Sequence, residues 1–384
     1  MIGLAISEFI RNIRRNAILI LLLTFMGGIV LFVSSVIIRE YQRYAPFSAF
    51  EGKEGFFYAG GEYTSSAVTT YSTSYVNVYD IEGITGDDTA TLCISALPKW
   101  VWKKWKPRLE NGLWLDEIGE YENIPVVAGG TAAAALTQIG DVIKVKAGTK
   151  EIRLLVVGML VARTEVFGIA NTYKKSNANY DEYFSVNYEP LFFVTKDECL
   201  QKAGVSLGTD LKKIALYNEG KKEEAEELKK KIDLLEGNTI IDLKEFNDNS
   251  RLQISKKIRT YLPLVICAML LICICSYAAV YIAQARSLKH HGIFYLLGAD
   301  LKKRFFISMG NGMGVTLFSA LLLVIGVNLV KVIGLDRKII FTVNEYTIYF
   351  VIALYILYFV MLCFMVLLSM RKLSPKEVIR NTKE

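Results

Sequence analysis

Four stretches of this chain run for twenty residues or more without one charged side chain: Ala17–Ile38, Tyr261–Ala283, Phe305–Val330 and Tyr346–Met370. As helices, at about 1.5 Å of rise per residue, each is long enough to cross a hydrocarbon layer roughly 30 Å thick. No other feature restricts the fold as much, because a backbone in lipid must satisfy its own hydrogen bonds. The composition agrees, with 52% apolar residues and a mean hydropathy of +0.32 over 384 residues. The first run passes through Val36-Ile37-Ile38 to Arg39 without an A-x-A-like site. A retained anchor is therefore expected, not a cleaved leader.

Charge orders the segments between these runs. Residues 1–16, 285–304 and 371–384 carry thirteen Lys and Arg against four acids, Glu8, Asp300, Glu377 and Glu384, an excess larger than the whole chain's +7. Short basic segments stay in the cytoplasm, which puts both termini and the 285–304 loop inside and residues 39–260 outside. The expected order is a cytoplasmic amphipathic helix at 1–16 and spans at 17–38, 261–284, 305–333 and 346–370. An external domain fills 39–260, a coupling loop 285–304, a short external loop 334–345 and a cytoplasmic tail 371–384. The fold class is then a four-helix membrane protein with a large α+β extracytoplasmic domain of two lobes, since about 220 residues exceed one small core. A basic balance arranged this way answers to topology and to anionic membrane lipid, and nucleic acid is not an expected partner.

Within the external segment, Val68–Val78 alternates and predicts a strand, and 139–160 predicts a hairpin turning at Ala147-Gly148-Thr149. Ile214–Tyr217, Lys221–Leu235 and Thr239–Leu243 read as strand, helix and strand, a crossover unit. Ala225, Leu228, Ile232 and Leu235 are expected to line one side of that helix and Glu–Lys pairs the other. From about Asn249, with Leu252, Ile254, Ile258 and Leu262, a helical stalk is expected to run into the second span.

All four tryptophans, Trp100, Trp102, Trp105 and Trp114, fall in one window with Lys99, Lys103, Lys104, Lys106 and Arg108. Two readings stay open. Either the rings pack a lobe and the lysines are its solvated edge, or Trp100, Trp102, Lys103, Lys104, Trp105 and Lys106 contact substrate or an anionic surface. In the third span Gly310, Gly312 and Gly314 suit close helix approach; a phosphate loop would have to follow a strand. Gly310 and Gly314 are the expected packing positions.

Catalytic machinery is not expected. The spans hold no mid-depth ionisable residue, and no GxxxxGK[ST] motif occurs. The two histidines, His290 and His291, are adjacent and do not share a helix face, so no metal site is expected. Four of the six cysteines lie in spans, and no spacing rule pairs Cys93 with Cys199.

The loop between the second and third spans is the expected site. It offers Arg286, Lys289, His290 and His291, then an apolar run closed by Gly292 and Gly298, with Phe294, Leu296 and Leu297 inside it and Ala299 and Asp300 after. A short apolar surface at the cytoplasmic face suits docking to another protein.

One anchor span, a large external domain, three further spans and this loop together resemble an ABC-transporter permease of the FtsX/MacB family. The family's loop pattern, R-E-I-G, five residues, then G-A, is met by Gly292 and Gly298-Ala299, with Lys289-His290-His291 in place of Arg-Glu-Ile. The external segment resembles the MacB-type periplasmic core at Gly112 and Trp114, Val126-Val127, Ala132–Leu136, Gly140-Asp141 and Val156-Val157-Gly158. Leu113 stands where the family usually has Arg. Leu373, Pro375, Glu377 and Arg380 match the closing L-x-P-x-E-x-x-R.

The resemblance implies a permease in the bacterial cytoplasmic membrane, paired with an identical or paralogous second copy and served by a cytoplasmic ATPase dimer. ATP and magnesium then belong to the partner ATPase, and this chain binds no cofactor. An extracytoplasmic accessory protein is a further partner in such assemblies. The implied function is mechanical coupling of ATP hydrolysis to the external domain for export of peptides, toxins or antimicrobials. The alternatives are regulation of a cell-wall hydrolase, as in FtsX, or lipoprotein release.

Overall fold

The computed structural model describes residues 10, 13–81, 92–119, 121–162, 164–167, 179–186, 189–235, 239–296, 301–332 and 345–372, with side chains in the 243–296 helix described no further than Tyr277. The amphipathic helix at 1–16, the loop 334–345 and the tail 371–384 fall almost wholly outside these residues. The chain divides into two compact units, Arg39–Lys256 and a second made of Met1–Ile38 with Lys257–Glu384.

In the second unit the apolar runs are helices. α1 covers Ile13–Tyr44, and two further long helices cover Leu301–Val332 and Glu345–Lys372 (α7 and α8, counted in chain order). Among the described residues three helices are long and apolar enough to cross a membrane. The expected span at 261–284 lies in a helix at Leu243–Leu296 (α6), which contains Pro263. Leu23, Met26, Val30, Leu354, Tyr358, Leu362 and Val366 form the buried seam, while Ile18, Leu21, Phe25, Leu317, Leu321 and Phe364 are exposed. Such an apolar exterior is stable only in a solvent that is itself apolar.

The unit Arg39–Lys256 is built on a ten-stranded sheet of order β12-β1-β11-β2-β3-β10-β5-β7-β4, with β6 paired to β7. Its strands are β1 Gly55–Ala59, β2 Val68–Val78, β3 Leu92–Leu97, β4 Leu109–Gly112, β5 Ile124–Gly129, β6 Val142–Ala147, β7 Lys150–Leu160, β10 Phe192–Lys196, β11 Gly208–Tyr217 and β12 Thr239–Asp242. A separate two-stranded ribbon joins β8 Glu165–Phe167 to β9 Phe184–Val186. The short helices are α2 Lys99–Trp102, α3 Ala133–Leu136 and α4 Asp197–Lys202, and α5 spans Lys222–Asp233.

Local pattern accounts for much of this. β2 occupies the alternating stretch, and β6 turns into β7 across Gly148, whose φ of +63 a two-residue hairpin loop demands. β5 is buried along its whole length because it lies between β10 and β7. β11, α5 and β12 form the crossover unit, but β1 lies between the two strands and pairs antiparallel with both. α5 buries Ala225 and Ile232 against Phe56 and Tyr58.

Two readings are corrected. The two lobes are two hydrophobic centres on one unbroken sheet: one about Ile94, Val126, Leu154 and Phe193, the other about Phe56, Tyr58 and Ala215. Strand order, a non-local property, joins them. The stalk helix begins at Leu243, not near Asn249, because its buried stripe is Leu243, Phe246, Asn247, Ser250 and Ile254. Leu252, one of the apolar residues that suggested the stalk, is 54% exposed.

Candidate functional site

The last residues of α1 leave the apolar run as Arg39-Glu40-Tyr41-Gln42-Arg43-Tyr44. Helical spacing sets Glu40 and Arg43 on one side, where they pair at 3.4 Å and are almost wholly buried. Arg43 also pairs with Asp181, and its Nε lies 3.4 Å from Glu165, which Arg39 reaches at 2.5 Å. The guanidinium stands 4.7 Å from the ring centroid of Phe184. The Tyr180 hydroxyl donates to Glu40. Burial first, and then that hydrogen bond to a carboxylate, pushes the Tyr180 phenol far above its ordinary range. Within this set the Arg43–Glu40 pair is the buried one, and removing one partner of such a pair costs about 3–5 kcal/mol.

Beyond α1 the chain makes one 3-10 turn, Phe47–Phe50, whose two phenylalanines are buried. Phe47 lies 4.8 Å from Tyr183, 5.7 Å from Phe167 and 5.4 Å from Phe246, ring centre to ring centre. Phe246 belongs to the first two turns of α6, so the ends of two long helices meet in one aromatic core within this unit. Tyr44 donates to Glu51 at 2.6 Å, and Arg251 of α6 reaches the same carboxylate at 3.2 Å.

The tryptophan window feeds the same core. Pro98 starts α2, and Trp102, Trp105 and Trp114 are buried. Trp100 lies 5.0 Å from Phe50 and 5.6 Å from Phe167; Trp105 lies 5.4 Å from Trp114 and 5.7 Å from Phe184. Trp114 Nε1 donates to the Trp102 carbonyl at 3.1 Å. The lysines stay at the surface: Lys103, Lys104 and Lys106 are exposed, Lys104 donates to Ser48 and Lys106 pairs with Asp116 at 2.6 Å. The rings therefore pack the lobe, and the ammonium groups alone face outward.

For the other sequence-selected residues the placement is partial. α6 is helical through Leu296, which includes Arg286, Lys289, His290, His291, Gly292 and Phe294, but their side chains are outside the described set. Leu297, Gly298, Ala299 and Asp300 lie outside the described residues altogether, and α7 starts at Leu301. Gly310 and Gly314 are half-buried on α7, while between them a Cβ on Gly312 would stand 2.4 Å from Leu362 Cδ2. About two turns further along α7, Thr24, Ser319 and Tyr355 join by hydrogen bonds of 3.2 and 2.9 Å.

Cys93 and Cys199 are free thiols, and burial raises both above the ordinary thiol range. No group of His, Cys, Asp and Glu fit to hold a metal occurs among the described residues. An open groove of about 690 Å³ beside the core is lined by Glu51, Glu54, Lys222, Glu226, Asp242 and Arg251, among others. Its charges are largely spent on one another, as Lys222–Glu54 at 2.8 Å and Arg251–Glu51 at 3.2 Å.

Sequence reading passed over Glu40, Arg43, Tyr180 and Asp181. The one local signal was an acid and a base at i and i+3 directly after an apolar run; their partners at 165 and 180–184 are far along the chain.

No family model matches this sequence, and no curated protein matches it. Among solved structures it is similar to the periplasmic region of MacB from Actinobacillus actinomycetemcomitans, at 9% identity and a TM-score of 0.26, over 51% of this chain and 92% of that one. It is likewise similar to the extracellular domain of the noncanonic ABC-type transporter YknZ from Gram-positive bacteria, at 9% identity and a TM-score of 0.23, over 51% of this chain and 84% of that one.

Proposed function

We propose that this chain is the permease subunit of a MacB-like ABC transporter, one that couples ATP hydrolysis by a separate cytoplasmic ATPase to motion of its extracytoplasmic domain. The observation that carries the reading is the junction. The C-terminal end of α1, the helix of the first apolar run, and the N-terminal end of α6, the helix of the second, are anchored in one core, α1 by the Arg43 ion pairs and α6 by the packing of Phe246 against Phe47. A domain that only bound a ligand would need no such fastening of its two chain ends. One that receives force through helices does, because a loose joint would absorb the displacement.

On this reading the loop from Arg286 to Asp300 is the ATPase contact, and Phe294, Leu296 and Leu297 are its apolar anchors. The protein is multi-pass in the bacterial cytoplasmic membrane with both termini inside, works as a homodimer or paralogous heterodimer, and carries out no catalysis itself. Its cargo is a peptide, toxin or antimicrobial, with an accessory protein outside.

The test is co-purification in mild detergent, identifying which ATPase and which permease accompany the chain. Leu297→Asp, in a normally inserted permease, is expected to abolish ATPase recovery, since truncating an interface anchor costs about 2 kcal/mol or more. Undiminished recovery with that variant removes the loop from the contact, and purification free of any ATPase refutes the permease reading.

A further inference from the structure

We propose that the four-residue turn Tyr180–Tyr183 is a relay tying the roots of α1 and α6 to strand β11, so that the two roots shift together with the central sheet. All four residues of this turn make contacts outside it, and between them they reach α1, α6 and β11. Tyr180 donates its hydroxyl to Glu40 and Asp181 pairs with Arg43, both on α1. The backbone N–H of Tyr180 donates to Ser250 Oγ at 3.1 Å, and that hydroxyl donates onward to the Phe246 carbonyl at 2.7 Å, both on α6. The Glu182 carbonyl accepts from the ammonium of Lys212 on β11, a lysine that is 3% exposed and lies 5.8 Å from the Tyr183 ring centroid. Tyr183 closes the set with Phe47, Phe57 and Phe246.

The turn is stiff for its size. It is a single 3-10 turn, capped by the Asn179 side chain, which accepts from Asp181 N at 2.9 Å. Tyr180 and Tyr183 are buried, and close-packed groups of this kind move between discrete arrangements more readily than they deform. An ionic tie between the roots, Glu51–Arg251, has an arginine side chain that is 61% exposed, so water and salt weaken it. The geometry alone supports the tie; its use in transmitting force rests on the permease reading.

Hydrogen exchange of the full chain in lipid nanodiscs tests it. The double variant Tyr180→Phe with Asp181→Asn removes the hydroxyl bond to Glu40 and the ion pair with Arg43 on α1 and leaves the Ser250 and Lys212 bonds, which use backbone atoms of the turn, in place. If the turn is a relay, exchange rises about tenfold at Arg39–Tyr44 and also at Leu243–Lys256 and around Lys212, with Val142–Leu160 unchanged, as for a local cooperative opening. A rise confined to Arg39–Tyr44, or no rise, overturns the proposal. So does loss of protection that reaches Val142–Leu160 in both the double variant and the milder Tyr180→Phe, because the turn is then a general prop of the fold. Arg251→Ala is expected to leave β11 unchanged; an effect on β11 equal to the turn variant's would assign the tie to Glu51 instead. No ATPase enters this measurement, so its failure leaves the permease reading standing and failure of that reading leaves the exchange result intact.

Discussion

Replacing Arg43 by Met removes one guanidinium of nearly the same volume and leaves three carboxylates to find other partners. Their fates differ. Glu165 keeps Arg39 at 2.5 Å and is 26% exposed, and Asp181 is 34% exposed, so both recover most of their solvation. Glu40 does not: its side chain is 5% exposed, and it keeps the hydrogen bond from Tyr180 but no counter-charge from Arg43. One buried carboxylate left without its cation sets the cost at about 3 kcal/mol, the lower end of the range for breaking a buried pair. The lost stacking on Phe184 adds roughly 0.5–1 kcal/mol. Arg43→Lys restores charge without the planar fork and is expected to recover about half. Denaturant unfolding of the full chain, followed by tryptophan fluorescence, reads this directly, since Trp100 and Trp105 lie in the adjoining core. Adding Glu40→Gln to Arg43→Met removes the stranded charge, so the double variant should be more stable than the single one. If Arg43→Met lies within about 1 kcal/mol of the wild type, or the double variant is the sum of its parts, the ion set is an exposed-type pair and the junction is not held as described.

Gly312→Val is expected to destabilise the span bundle by about 1–3 kcal/mol, because Leu362 already occupies the space of a Cβ at 2.4 Å and must be displaced; thermal inactivation in detergent checks it, and a neutral result would mean that α7 and α8 can separate freely there. Burial raises the Glu182 carboxyl above its ordinary range. Below the unfolded-state value, about pH 4, it is neutral in both states and has no effect; as pH rises through the folded-state value, the unfolded chain is favoured. Glu182→Gln should therefore match the wild type near pH 4 and exceed it in denaturant midpoint at pH 8, and an equal difference at both pH values would contradict the burial argument.

Sequence alone determined what depends on near neighbours. An uncharged run long enough to cross a bilayer is a property of consecutive residues, and three such runs stand on long apolar helices among the described residues. Alternation in Val68–Val78 and the 3.6 period of Lys222–Asp233 are equally local, and both elements formed where periodicity put them. Placement across the chain was decided only by the tertiary structure. β1 lies between β11 and β12 although about 150 residues separate it from the first and about 180 from the second. The tryptophan window left packing and surface contact both open, and only the tertiary structure brought Phe47, Phe50 and Phe167 against its rings. The start of α6 was hidden because Asn247 and Ser250 are polar by type yet buried, Ser250 with the amide of Tyr180 as its partner. Glu40 and Arg43 gave no sign of their role beyond their spacing, because a buried charge is tolerable only beside partners that the local chain does not contain, and only folding brings Tyr180 and Asp181 to them.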